Sequence, residues 1–64
     1  MGFAQNLREA RLKANLSQQA LADELGLCRT AIVHYEDGKS LPQARNLDKL
    51  LKILDVTYEE LFKP

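Results

Sequence analysis

Two short amphipathic segments flank a three-residue turn, and this turn restricts how the 64-residue chain can fold. The first segment, Gln18–Leu25, follows Ser17, whose hydroxyl can accept a hydrogen bond from the free amides of the next helical turn. Gly26 ends the segment, because glycine adopts the left-handed conformation of a helix C-terminus without a steric penalty. The second segment, Arg29–Glu36, begins directly after Cys28. Two helices so closely joined form a candidate helix-turn-helix motif.

Three other segments also have helical periodicity. Residues 3–14 and residues 43–54 carry apolar side chains at helical spacing, and Pro42 suits the first turn of the second of these. Thr57 begins a T-x-x-E capping box that predicts a short fifth helix. No segment has the alternation of a strand, so we predict one all-α, five-helix domain over residues 1–64. The apolar positions behind this prediction are Phe3, Leu7, Ala10, Leu47, Leu50, Leu51 and Leu54.

Composition excludes several classes of protein. No apolar run approaches the roughly 20 residues of a membrane span, and the N-terminus lacks the basic and apolar regions of a secretory signal. A single cysteine rules out an internal disulfide framework. We therefore expect a cytoplasmic protein without membrane contact, metal or cofactor. The nine basic and nine acidic residues cancel, so charge alone does not indicate nucleic-acid binding.

Catalysis has little support in the sequence. The single histidine, His34, and the single cysteine, Cys28, lie about 240° apart around a helix and cannot share a metal ion or a proton. Glycine-rich phosphate loops, zinc-ligand spacings and paired carboxylates are also missing. We expect a protein that is not an enzyme.

The segment of residues 29–37 has two distinct faces at about 100° per residue. One face is expected to enter the core and contains Cys28, Ala31, Ile32 and Tyr35. The other face suits the edges of DNA bases, because arginine prefers the two acceptors of guanine and the threonine and valine methyls suit the thymine methyl. A merely solvated helix face is the alternative. The candidate base-reading residues are Arg29, Thr30, Val33 and His34.

Motifs along nearly the whole chain, from Leu7 to Phe62, resemble the phage repressor and Cro family of XRE-type helix-turn-helix regulators. The resemblance rests on Arg11, residues 16–22, Gly26, Ile32, residues 35–39, Pro42, Leu47, Leu54, Val56 and Leu61. It implies a compact lambda-repressor-like domain in which helices 2 and 3 form the helix-turn-helix. It also implies sequence-specific binding of double-stranded DNA by a bacterial or phage-encoded transcriptional regulator, with a repressor as the expected kind.

The same resemblance implies roles for individual residues. Arg11 and Glu36 are expected to form a partly buried ion pair that ties the first helix to the end of the third. Contacts to the DNA backbone are implied for Ser17, Gln18, Gln19, Lys39, Ser40, Gln43, Arg45 and Asn46. Cys28 departs from the family, which prefers serine there, so we expect a poor helix cap. A small buried cysteine is the expected form of Cys28, with a reactive thiol as the alternative.

A domain this small makes too few contacts for tight specific binding, so we expect a homodimer on a palindromic operator. Tyr58, Leu61 and Phe62 are the candidate dimer surface, although Leu61 and Phe62 alternatively close the core. A protein-interaction or antitoxin-type module on the same scaffold remains the competing function. DNA binding is favoured if Gln18, Arg29, Lys39 and Arg45 share one face. An acidic patch from Glu36 or Asp37 across that face favours a protein partner.

Overall fold

The computed structural model describes residues 2–64, which form five α-helices and no strand. The helices are α1 (Phe3–Lys13), α2 (Gln18–Leu25), α3 (Arg29–Glu36), α4 (Ala44–Leu54) and α5 (Tyr58–Phe62). The prediction of an all-α fold with five helices is confirmed. None of these helices is long and apolar enough to cross a membrane.

Side chains fix the ends of α2 and α5 as the sequence predicts. The Ser17 hydroxyl accepts a hydrogen bond from the Ala20 amide at 2.9 Å, and Gly26 ends α2 with φ of 72°. At α5 the Thr57 amide donates to the Glu60 carboxylate at 2.8 Å, and the Glu60 amide donates to the Thr57 hydroxyl at 3.1 Å. The hydrogen bonds with the Thr57 backbone and side chain hold the pKa of Glu60 below its usual value. Both helices therefore start at a hydrogen-bonded cap.

Two predictions about helix starts are wrong. Pro42 lies outside α4, because Gln43 is the N-cap in an extended conformation (ψ 160°) and the helix begins one residue later. Cys28 is exposed rather than buried. It is the N-cap of α3 with φ of −83° and ψ of 158°, so the angular spacing of a helix does not apply to it. Its thiol makes no capping hydrogen bond, in agreement with the expected poor cap.

One large apolar side chain from each helix is almost fully buried, and together these five form the centre of the core. Fully burying such a side chain contributes about 1.5–3 kcal/mol. The helices pack in the pairs α2 with α3, α1 with α3, α1 with α5 and α2 with α4. The helix-turn-helix pair is thus packed directly against α1 and α4, and α5 packs on α1. The five central side chains are Leu7, Leu21, Ile32, Leu50 and Leu61.

The C-terminal segment packs against α1, which corrects part of the predicted dimer surface. Leu61 is only 1% exposed, so it belongs to the core and its assignment to a dimer surface is wrong. Phe62 is half-buried, with its ring centroid 4.9 Å from that of Phe3 and 4.5 Å from that of Tyr58. Of the three candidates only Tyr58 is largely exposed, at 54%.

Asn6 is a buried polar residue that joins α1 to the end of the chain. Its Nδ2 donates to the carbonyl oxygens of Leu61 at 2.9 Å and Lys63 at 2.7 Å. Asn6 was not predicted as a buried residue, although its place beside Leu7 on the apolar face of α1 was an available signal.

Candidate nucleic-acid interface

The two faces of α3 differ in burial much as the helical spacing predicts. Ile32 and Tyr35 are buried and Ala31 is half-buried, so this side packs on the core. On the other side Arg29, Thr30 and His34 are exposed, and Val33 is half-buried. The exposed side begins at the first residue of α3, so its N-terminal half presents Arg29 and Thr30 to solvent, and His34 follows one turn later.

An ion pair between α1 and the end of α3 holds the helix in place, as the resemblance implied. Arg11 Nε donates to Glu36 Oε2 at 2.6 Å, and Arg11 Nη2 donates to Glu36 Oε1 at 3.1 Å. The guanidinium also donates through Nη1 to the Leu16 carbonyl at 2.9 Å. The two side chains are 9% and 5% exposed. Because the carboxylate of Glu36 is buried and paired, it does not form an acidic surface patch.

Gln18 connects this ion pair to the exposed face of α3. Its Nε2 donates to Glu36 Oε1 at 3.1 Å, and its Oε1 accepts from Arg29 Nε at 3.4 Å. Gln18 was expected to contact the DNA backbone, and its bond to Glu36 was not predicted from the sequence. No local signal could have shown it, because the two residues are 18 positions apart in the chain.

A shallow polar cleft runs between the starts of α2 and α3. Its lining consists of Arg11, Ser17, Gln18, Gln19 and Arg29. The N-cap of α3 provides no side-chain acceptor. The Ala31 amide donates to the Cys28 carbonyl at 3.1 Å, so the amides of Arg29 and Thr30 are the ones left for an external partner. Helix N-termini and an arginine favour an anion, such as a DNA phosphate.

The other predicted backbone-contact residues are exposed or half-buried and lie outside this cleft. Gln19 is not one of these, because it lines the cleft, and its amide donates to Asp23 Oδ1 at 2.9 Å on the surface of α2. Lys39 and Ser40 follow α3, Gln43 caps α4, and Arg45 and Asn46 lie in the first turn of α4. The side-chain contacts within residues 2–64 bring Gln18 and Arg29 together but do not join Lys39 or Arg45 to them.

Leu41 was not singled out from the sequence and is the most exposed large apolar residue described, at 66%. It stands between Ser40 and Pro42 in the connection from α3 to α4. Its position in a connection without helical periodicity gave no sign of whether it is buried.

Comparison with known proteins places the whole described fold among helix-turn-helix domains. The family described as "Helix-turn-helix" matches residues 7–61. An uncharacterized HTH-type transcriptional regulator of Bacillus subtilis (strain 168), YqaE, is 39% identical over 61 residues, which are 95% of this chain and 53% of that protein. The chain thus spans about half the length of this curated relative.

Two solved structures share the fold over nearly the whole chain. The restriction-modification controller protein C.AhdI from Aeromonas hydrophila is 40% identical, with a TM-score of 0.83 over 94% of this chain and 87% of that one. The P22 c2 repressor protein in complex with a synthetic operator is 28% identical, with a TM-score of 0.91 over 98% of this chain and 96% of that one. The predicted lambda-repressor-like architecture, with α2 and α3 as the helix-turn-helix, is confirmed.

Proposed function

This chain belongs to the helix-turn-helix family, and from that membership we propose that it binds double-stranded DNA sequence-specifically and regulates transcription, without being an enzyme. The exposed face of α3 carries the proposal. A helix with a buried apolar side and an exposed N-terminal half of polar side chains has the form of a recognition helix that enters the major groove.

Base reading is assigned to the exposed face of α3. The guanidinium of Arg29 matches the O6 and N7 acceptors of guanine, and Thr30 offers a hydroxyl and a methyl group. His34 lies one turn further along the same helix and can donate to a base or a phosphate. Val33 is half-buried, so its contact is restricted to the part of its isopropyl group that faces solvent.

Contacts to the DNA backbone are assigned to two groups of residues. The first surrounds the cleft at the starts of α2 and α3 and comprises Ser17, Gln18 and Gln19. The second follows α3 and comprises Lys39, Ser40, Gln43, Arg45 and Asn46. Because the chain has no net positive charge, non-specific affinity should be modest. The phosphate contacts should make that affinity strongly salt-dependent.

We assign the chain to a homodimer that acts as a repressor on a palindromic operator in the bacterial cytoplasm. Two copies related by a two-fold axis place their recognition helices about 34 Å apart, one turn of DNA. The P22 c2 repressor, which shares this fold and is bound to a synthetic operator, supports the operator binding in this assignment. Tyr58 and the exposed edge of Phe62 are the remaining candidates for the dimer surface.

The competing function, a protein-interaction or antitoxin-type module, is favoured if an acidic patch from Glu36 or Asp37 interrupts the exposed face of α3. Glu36 is buried against Arg11 and does not supply one. Asp37 is exposed, but it lies beyond the end of α3. The exposed face of α3 therefore has a positive charge at Arg29 and no exposed carboxylate, which favours DNA over a protein partner.

Selection of binding sites from random DNA duplexes tests the proposal. We expect enrichment of two inverted half-sites about 10 base pairs apart, centre to centre. Arg29→Ala should lose the preference at one position of each half-site. Arg8→Ala is the matched control, because Arg8 has the same charge but lies exposed on α1 outside the predicted interface. A wild-type chain that enriches no sequence would refute the proposal.

A further inference from the structure

A cleft of about 300 Å³ lies between α1, α5 and the turn that joins α4 to α5. Its lining comes from residues 6–13 of α1, from residues 54–56 and from residues 60–63. None of the lining residues belongs to the predicted DNA interface, so the cleft stays accessible when α3 is on DNA. The volume lies at the lower end of the range for small-molecule sites, which favours a small metabolite as the ligand.

Asn6 contributes a hydrogen-bond acceptor without a partner to this cleft. The residue is 7% exposed, and its Nδ2 donates both of its hydrogens, to the carbonyls of Leu61 and Lys63. These two bonds fix the orientation of the amide, and no group within residues 2–64 donates to its Oδ1. Since no fully buried side-chain oxygen in the described chain lacks a partner, Oδ1 must face the open space of the cleft. A ligand with an N–H group would satisfy it.

Charged side chains of both signs surround this acceptor. On α1, Glu9 and Lys13 follow Asn6 on the same face, with about 6 Å between the two along the helix axis. The carboxylates do not belong to any group in residues 2–64 that could hold a metal ion. The ion pair of the described chain lies elsewhere, so the charges around the cleft are not paired with one another. They belong to Glu9, Lys13, Asp55, Glu60 and Lys63.

The two lysines approach the cleft from opposite sides. Lys13 is the last residue of α1, and Lys63 follows α5. Besides the hydrogen bonds with Thr57, the positive charges of Lys63 and Lys13 help to hold the pKa of Glu60 below its usual value. Both ammonium groups therefore lie within electrostatic range of one point at the mouth of the cleft. Two neighbouring positive charges repel each other, and an anion between them relieves that repulsion.

We propose that this cleft binds a free α-amino acid with an apolar side chain. The ammonium group of the ligand donates to Asn6 Oδ1 and lies beside Glu9, and its carboxylate lies between Lys13 and Lys63. A ligand with only one charge would leave either the acceptor and the carboxylates or the two lysines without a partner. The side chain of the ligand covers the apolar part of the lining, which consists of Ala10, Leu54, Val56 and Leu61.

Titration of the chain with L-leucine, followed by NMR of the backbone amides, tests the proposal without DNA. We expect saturable shifts in residues 6–13 and 54–63 with a dissociation constant of about 1 mM, and no shifts in α3. Two analogues, 4-methylpentanoate and 3-methylbutylamine, lack the ammonium group and the carboxylate respectively. Each should bind about tenfold more weakly, because it loses a charge-assisted interaction. Equal affinity for all three compounds, or no saturation at roughly 20 times the expected constant, would overturn the proposal.

A pair of lysine variants tests the placement of the ligand. Lys13→Met removes one of the two charges assigned to the carboxylate, and Lys13 is exposed and makes no side-chain hydrogen bond within residues 2–64, so the fold should persist. Lys49→Met is the matched control, because Lys49 is an exposed lysine of α4 outside the cleft. We expect about tenfold weaker binding of L-leucine to Lys13→Met and unchanged binding to Lys49→Met. Equal affinity in both variants, with wild-type backbone spectra, would exclude this cleft as the site.

Discussion

Removing the carboxylate of Glu36 is expected to destabilise the protein more than any change on its surface. In Glu36→Ala the guanidinium of Arg11, 9% exposed, keeps only the Leu16 carbonyl as an acceptor. Leaving a buried charge without its partner costs about 3–5 kcal/mol. At roughly 0.05–0.15 kcal/mol per residue, the whole stability of a chain of this length is about 3–10 kcal/mol. The variant should therefore lose a third or more of its stability.

Urea denaturation followed by circular dichroism measures this loss. Glu9→Ala is the matched control, because Glu9 is an exposed glutamate on α1, and it should change stability by no more than about 0.5 kcal/mol. Replacing both partners, as Arg11→Met with Glu36→Leu, should recover most of the loss, since no charge then stays buried without a partner. A cost below about 1 kcal/mol for Glu36→Ala would refute the view that this pair is buried and essential to the fold.

Three further outcomes follow from the structure. Arg29→Ala should cost about 1–3 kcal/mol of binding and relax preference at one base, whereas equal loss on all sequences, measured by fluorescence anisotropy, would contradict base reading. Lys39→Ala should lower the slope of log affinity against log salt by about 1, and an unchanged slope would reject a phosphate contact. Tyr58→Arg should weaken the homodimer, as measured by sedimentation equilibrium. A wild-type chain that is monomeric both free and on operator DNA would exclude the dimer.

Lowering the pH should weaken the hydrogen-bonded cap at the start of α5. The hydrogen bonds with Thr57 lower the pKa of Glu60, so their contribution is complete above the ordinary carboxyl pKa and is lost as pH falls through the lowered value. Thr57→Ala should weaken this pH dependence without removing it, because the backbone amide of residue 57 still donates to the Glu60 carboxylate, and it should cost about 1 kcal/mol at neutral pH. NMR titration of the Glu60 carboxyl group checks the shift, and an ordinary pKa in both proteins would contradict the capping box.

Local chemistry determined most helix ends, which is why they could be predicted from the sequence. Ser17, Gly26 and Thr57 act through bonds or backbone angles within four residues of themselves, so the chain's order alone reveals them. The failures occurred where a residue leaves the helical conformation. Cys28 was placed on the buried face by helical spacing, but an extended N-cap does not follow that spacing. Gln43 is also an extended N-cap, so α4 begins one residue later than predicted.

The candidate site was predictable only as a set of separate residues. The exposed face of α3 follows from helical spacing, and the ion pair of Arg11 with Glu36 was implied by the family resemblance. The bond from Gln18 to Glu36 depends on how α2 crosses α3, which no short stretch of sequence encodes. Leu61 shows the same limit, because only the packing of α5 on α1 decides whether that leucine covers the core or extends from it.

The hydrogen bonds of Asn6 hold the two ends of the described chain close together. One side chain near the start holds two carbonyls near the end, at separations of 55 and 57 positions. We therefore expect the fold to depend more on which helices pack together than on where the chain is opened. A circular permutant, with a short linker joining the present ends and new ends opened in the exposed stretch of residues 39–41, should retain the five-helix core.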